Sequence, residues 1–338
     1  MRRPGRALPA LLSVTLGAVL AACGAGSKAD GNTLTVYGAP HGELLSVMAK
    51  GFTQQTGIKV DVRSGADSEL ANQIVQEGRA SRADVLMTEN SPAMGLADSK
   101  GLLARVDTAT VAQVPSQFVP SSHNWVGFAA RSTVLVYNTR ALTTGQLPAS
   151  IMDLAQPQWR GRVGIAPSGA DFQAIVSAVL ALRGETATRQ WLDGLKANAK
   201  AYTNNIAILK AVNSGEIAAG VSYHYYWYKD RAAGGVTSGN AELRFFGNQD
   251  PGAFLSTSGA GVLASSRKQQ QAQRFLAYLT SEAGQKVLAG SKAMEYPILP
   301  GVTNSALRPI SALDPPAVDP ATLNGPEVVT LMQKAGLL

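Results

Sequence analysis

Short strand patterns and amphipathic helix patterns alternate along most of this chain, and that alternation restricts its fold more than any other feature. "LTVYG" (Leu34 to Gly38) is a strand run closed by glycine. "HGELLSVMAKGFTQQTG" follows, with Leu44, Leu45, Val47, Met48 and Phe52 at helical spacing and Gly57 as a stop. "IKVDVRSG" alternates as a strand, "SELANQIVQEGRAS" returns to helix, and "ADVLMTEN" reads as a buried strand. Further on, "STVLVYNT" is an apolar strand. "RVGIAPSGADFQAIVSAVLAL" is a strand, a turn at Pro167-Ser168-Gly169 and an apolar helix. Such alternation predicts an α/β fold with mostly parallel sheets. A length of 338 residues predicts about two domains, and 45% hydrophobic content suffices for a sizeable core.

The first residues stand apart. "MRRPGRALPALLSVTLGAVLAACGAG" has a basic start, an apolar run and a small-residue end. The run is too short for a stable membrane span and reads as a secretory signal over 1–22. Its "LAAC" ending resembles a bacterial lipobox. That resemblance implies cleavage before Cys23 and lipid attachment to its sulfur, with 23–32 as a flexible tether. Cys23 is the chain's single cysteine, so no internal disulfide can form. Loss of Arg2, Arg3 and Arg6 would lower the formal charge from +7 to +4, too small an excess to argue for a nucleic-acid partner.

One segment concentrates the chemistry. "AGVSYHYYWYKD" sets Tyr223, His224, Tyr225, Tyr226, Trp227 and Tyr228 in a row, in a chain only 6% aromatic. Two readings compete: phenols that ligate a metal, or a wall that stacks on an organic solute. Phenolate is a hard oxygen donor suited to a hard, highly charged cation. A free phenol ionises near ~10, so only a strong Lewis acid displaces its proton at neutral pH. Adjacent tyrosines on a strand point to opposite faces. Both reach one metal only if the strand through Gly220, Val221 and Ser222 ends before Tyr225. Tyr223, Trp227 and Tyr228 read as packing residues.

Several stretches resemble bacterial extracellular solute-binding proteins of ABC importers: "FTQQTGIKVDVRSG", "ADVLMTEN", "LVYNT" and "VLASSRKQQQAQRFLAYLTSEAGQKVL". "VYGAPH", "TENS", "APSGADF" and "YYW" narrow the resemblance to the ferric-iron-binding members. The resemblance implies a type II periplasmic-binding-protein-like fold: two α/β lobes hinged by two crossing strands, near 129–136 and 255–263. It implies an N-lobe of 33–128 plus 260–300 and a C-lobe of 129–259 plus 301–338. It further implies Fe³⁺ ligated by His41, Glu89, Tyr225 and Tyr226. A synergistic carbonate or phosphate would lie on Ser168, Gly169, Ala170 and Asn204, and an ABC permease would be the partner of a monomeric, membrane-anchored, extracytoplasmic protein. Two phenolates and one carboxylate would balance three positive charges. Independently of the resemblance, Ser168 and Gly169 stand at the mouth of a predicted helix, where N–H groups and the helix dipole attract an anion.

Arg131 is a candidate to face the anion, and His224 a spare ligand or outer donor. The Tyr223-His224 pair stands where the family would place small amides. His123, in "SSHNW", reads as a loop residue. The alternative is an organic-anion or phosphonate binder that needs no metal. No enzyme is expected: the chain carries no nucleophile elbow, no catalytic cysteine and no H-E-x-x-H, and its three histidines have no zinc spacing.

Overall fold

The computed structural model describes residues 32–338. The expected signal segment 1–22, Cys23 and nearly all of the 23–32 tether lie outside the described residues. The elements run β1 (Thr33–Gly38), α1 (Gly42–Thr56), β2 (Lys59–Ser64), α2 (Asp67–Glu77), β3 (Val85–Thr88), α3 (Ser91–Ser99) and the short α4 (Thr108–Val111). The long β4 (Val126–Asn138) leads to β5 (Val163–Ile165), α5 (Ala170–Asn198), β6 (Ala199–Ala201), α6 (Asn205–Ser214), β7 (Ala219–Tyr223), α7 (His224–Ala232) and β8 (Ala241–Arg244). Then come β9 (Leu255–Val262), α8 (Gln269–Thr280), α9 (Glu282–Ala289), β10 (Tyr296–Pro297) and α10 (Gly325–Lys334).

Strand order is β2-β1-β3-β9-β4-β7-β5-β6. β4 changes partners along its length. Val126–Ser132 pair with β9, whereas Thr133–Tyr137 pair with β7. β10 joins its first half and β8 its second. The two halves therefore belong to two lobes that share one strand, and the chain returns where the Phe254 carbonyl accepts the Thr133 N–H at 3.0 Å, just before β9. Nearly every β4 residue is buried, which explains the apolar "STVLVYNT" run. Within each lobe three strands are parallel: β2, β1 and β3 in one, β6, β5 and β7 in the other.

Each lobe has its own core. Phe52, Phe128 and Phe275 lie in the first, and Trp159, Trp191 and Leu192 in the second. The tail divides between them: Leu307 and Leu313 pack in the first core, Val328, Leu331 and Met332 in the second. The helix expected after "APSGADF" runs on to Asn198, but Gly184, at φ 76°, breaks it into two segments, a conformation glycine adopts without strain.

The β4–β9 register shifts between Gly127 and Ala129, a bulge near the start of the shared strand. A Cβ on Gly127 would fall 2.9 Å from the Phe118 carbonyl oxygen and against the Thr257 methyl. Gly127→Ala should therefore cost about 1–3 kcal/mol through overpacking. The expected outcome is a lower denaturant midpoint with an unchanged slope.

Candidate metal centre at the lobe junction

The segment just beyond each of the six parallel strands carries a polar residue of the site, in the loop or in the first turn of the helix that follows. β1 is followed by His41, β2 by Asp67, β3 by Glu89, β5 by Asp171, β6 by Asn205 and β7 by Tyr225 and Tyr226. Ligands of open α/β sheets gather at the carboxyl ends of strands for this reason. Helices begin at the same edge: Asp67, Ala170, Asn205 and His224 are first residues of α2, α5, α6 and α7. Their positive ends face the cluster and favour negative charge there.

β7 ends at Tyr223 and α7 starts at His224, so the tyrosine pair occupies the first helical turn, where the ligand geometry required the strand to have ended. The two rings lie 4.1 Å apart. Tyr225 donates its hydroxyl to Glu89 Oε1 at 3.1 Å, and Tyr226 donates to Asp171 Oδ2 at 3.1 Å. The His41 ring stacks on Tyr225 at 5.6 Å. Thus His41 and Glu89 from one lobe meet Tyr225 and Tyr226 from the other. Burial first, and Asp171 and Glu89 next, push both phenols well above their usual range.

His41 Nε2 lies 3.0 Å from Glu295 Oε1 as an ion-pair contact, and both buried ring nitrogens lack a well-aligned hydrogen bond. Burial works against the Glu295 charge, but the His41 ring at 3.0 Å and the Arg131 charge hold it below the usual carboxylate range. Arg131, wholly buried on β4, approaches Glu89 Oε1 at 2.6 Å and Asp171 Oδ1 at 3.8 Å. Burial opposes its charge, but Glu89, Glu295 and Asp171 outweigh it and keep the guanidinium protonated. Burial raises Glu89 to about 8; Arg131 pulls it down while Asp171, Asp67 and Glu295 push it up.

A cavity of about 180 Å³ opens beside Glu89 and Tyr226, with Gly169, Ala170, Asp171 and Asn204 in its wall. The expected anion seat is only partly assembled there. Ser168 is exposed and does not line the cavity. The Asn204 Oδ1 accepts the Ala207 N–H at 2.9 Å, because Asn204 caps α6. Asp171 carries a carboxylate into the same space, held by Tyr226 and by Asn205 Nδ2 at 2.8 Å. Arg131 faces carboxylates of this cluster, as a counter-charge.

His224 turns away from the cluster. Its Nδ1 accepts the Ser132 N–H at 3.1 Å and its ring stacks on Tyr296 at 4.5 Å. Burial holds it down at about 3, so it is a neutral core histidine. Tyr223 is buried under the Arg131 guanidinium, while Trp227 and Tyr228 pack edge to face at 5.0 Å. His123 sits in a loop at 3.3 Å from Arg105. Sequence reasoning missed Asp67, Asn90, Asp171, Asn205 and Glu295. Asp171 and Asn205 adjoin the assigned Ala170 and Asn204; Glu295, in "AMEYP", carries no local signal.

These shifts have a consequence for stability. Glu89 binds its proton up to about 8 in the folded state, against an ordinary 4.5, so above 6.5 the folded chain holds more protons than the unfolded one. His224 acts in the opposite sense but only below its usual 6.5. Metal-free protein should therefore lose stability as pH rises from about 6.5 to 8, with Glu89→Gln flattening that slope. Denaturant melts across that range check it.

A model of the family described as bacterial extracellular solute-binding protein matches residues 80–317. The chain is 52% identical over 321 residues to the Fe(3+)-binding periplasmic protein of Serratia marcescens, covering 95% of each. It is 38% identical over 308 residues to the major ferric iron-binding protein of Neisseria meningitidis, covering 90% of this chain and 93% of that one. The structure of iron-bound HitA from Pseudomonas aeruginosa superposes with a TM-score of 0.84 at 42% identity, over 90% of this chain and 99% of that one. With its two lobes joined along a shared strand and its polar cluster at their junction, the chain belongs to the bacterial extracellular solute-binding proteins.

Proposed function

We propose that this protein captures ferric iron outside the cytoplasmic membrane and delivers it to an ABC permease, with His41, Glu89, Tyr225 and Tyr226 as ligands. The observation that carries this reading is their convergence from opposite lobes, Tyr225 being hydrogen-bonded to Glu89 and stacked on His41. The cargo is a hard cation, and three of the four donors are oxygens. His41 supplies the remaining donor, with the Glu295 carboxylate 3.0 Å from its Nε2; a carboxylate behind a ligating imidazole fixes its tautomer. An organic anion would instead meet Asp67, Glu89 and Asp171 around one small cavity, which favours a cation.

Both phenols are protonated without metal, and iron must displace those protons. Capture therefore releases acid, and falling pH works against it. Once iron has offset the surrounding carboxylates, a carbonate or phosphate would lie beside Gly169, Ala170 and Asn204 at the mouths of α5 and α6. Asp171 already supplies negative charge in that space and so lessens the need for an added anion. Lipid attachment at Cys23 would keep the protein near its permease.

Ferric citrate added to metal-free protein lacking residues 1–23 should produce a tyrosinate-to-iron charge-transfer band. Tyr225→Phe and Tyr226→Phe should each weaken or abolish it; absence of a band in the folded parent overturns the reading. In an unbuffered titration, iron loading should release protons. Glu295→Gln should lower affinity about 10–100-fold, the usual effect of removing a partner behind a metal ligand. Asp171→Asn should make loading depend on added carbonate or phosphate where the parent depends on it little, read from the same band.

A further inference from the structure

Asn90 begins α3 at the N-cap position, where asparagine normally accepts a hydrogen bond from its own helix. Here its side chain makes no capping bond. It is buried to 1% exposure, and every donor and acceptor of its amide is used elsewhere. Nδ2 donates to Asp67 Oδ2 at 3.0 Å and to Asp171 Oδ1 at 3.1 Å. Oδ1 accepts from Ser256 Oγ at 2.9 Å and from Arg131 Nη2 at 3.3 Å. The four partners stand on α2, α5, β9 and β4, so one amide joins both lobes and both strands of the hinge region.

Asp67 makes this arrangement bear on the metal centre. Its carboxylate accepts the Glu89 N–H at 2.7 Å and the Asn90 N–H at 2.9 Å, in addition to the Asn90 side chain. The backbone that aims Glu89 is therefore clamped by the same carboxylate that orients the Asn90 amide. On the far side, Asp171 holds Tyr226 and Asn205. The chain of contacts runs from the Glu89 backbone through Asp67, Asn90 and Asp171 to Tyr226.

We propose that Asn90, oriented by Asp67, is a positioning residue: an interlobe latch that couples lobe closure to the geometry of the ligands Glu89 and Tyr226. This rests on the ferric reading above. If the lobes part, Asp67 moves with Asn90, and Ser256 and Arg131 stay on the hinge strands. Only the bond to Asp171 must break. Lys229 to Glu43 at 3.6 Å and the His41–Tyr225 stack also bridge the lobes, but the Asn90–Asp171 bond differs from the Tyr225–Glu89 contact in one respect. Iron takes the proton from the Tyr225 hydroxyl and removes that hydrogen bond. The amide of Asn90 loses nothing when metal binds, so its bond to Asp171 holds the lobes in both the loaded and the empty protein.

The test compares the parent with Asn90→Leu and with Asn90→Ser, a smaller polar change that the core tolerates more readily. Solution scattering on metal-free protein reads lobe opening without reference to iron. Loss of iron to excess citrate, followed at the charge-transfer band, reads release. Both variants should show a larger radius of gyration without metal and release iron about tenfold faster, the size expected for one hydrogen bond to a charged group. The band at saturation should also shift in position, because the contacts that orient Glu89 and Tyr226 are lost. Folded variants with the parent's radius and release rate would overturn the latch. Failure of both to fold would also overturn it, making Asn90 a core residue and nothing more. A parent that binds no iron would sink the ferric reading, and the scattering comparison would still decide the latch.

Discussion

A wholly buried guanidinium sits on β4, the strand that both lobes share, and the site is organised by the need to neutralise it. Arg131 lies on β4 just before the strand passes from the first sheet to the second. An isolated charge there would be very costly, and removing one partner from a buried pair destabilises strongly. Its carboxylates come from opposite directions: Glu89 from the end of β3, Asp171 from the start of α5. The hinge strand thus draws an acid from each lobe to one point. Glu89 is left partly exposed to the cleft, where it also accepts Tyr225.

An excess of buried acid would be untenable without further support. Asp67, Glu89, Asp171 and Glu295 outnumber the single arginine in this cluster. Converging helix N-termini supply part of the missing positive potential, and the rest is met by protons. Glu89 and Asp67 have raised proton affinities, Asp67 reaching about 6 through burial, and the phenols stay protonated. A site that holds protons because it lacks positive charge is a site where a highly charged cation can replace them. That is the physical connection between the apo electrostatics and the proposed cargo.

Division of labour within the cluster follows from connectivity. Tyr225 and Tyr226, consecutive in sequence, send their hydroxyls to carboxylates of different lobes. Glu295 places a carboxylate 3.0 Å from His41 Nε2, behind the proposed ligand. Asn90 touches none of the four proposed ligands through its side chain, yet its partners fix two of them. Lobe closure is thereby shared between contacts made by the proposed ligands and contacts that do not involve them, the buried Asn90–Asp171 bond among the latter.

Much of this was legible in the sequence because it depends on local pattern. Alternating periodicities specified parallel α/β lobes, since each period presents one apolar face for burial. The adjacency of Tyr225 and Tyr226 required a strand to end before them, and β7 does end at Tyr223. His41 and Glu89 follow strand runs that the pattern identified. What only the tertiary structure decided are the groups brought together by long-range register. Glu295 meets His41 across most of the chain, and Arg131 meets Glu89 and Asp171 because β4 changes sheets at Thr133. His224 was open in sequence and proved to be a neutral core residue, because α7 turns it toward Ser132 and Tyr296. Ser168 sits in the right loop but outside the cavity. Sequence periodicity decides which face a residue shares with its neighbours along the chain; which distant charge it must answer to is decided only when the strands are paired and water is excluded between them.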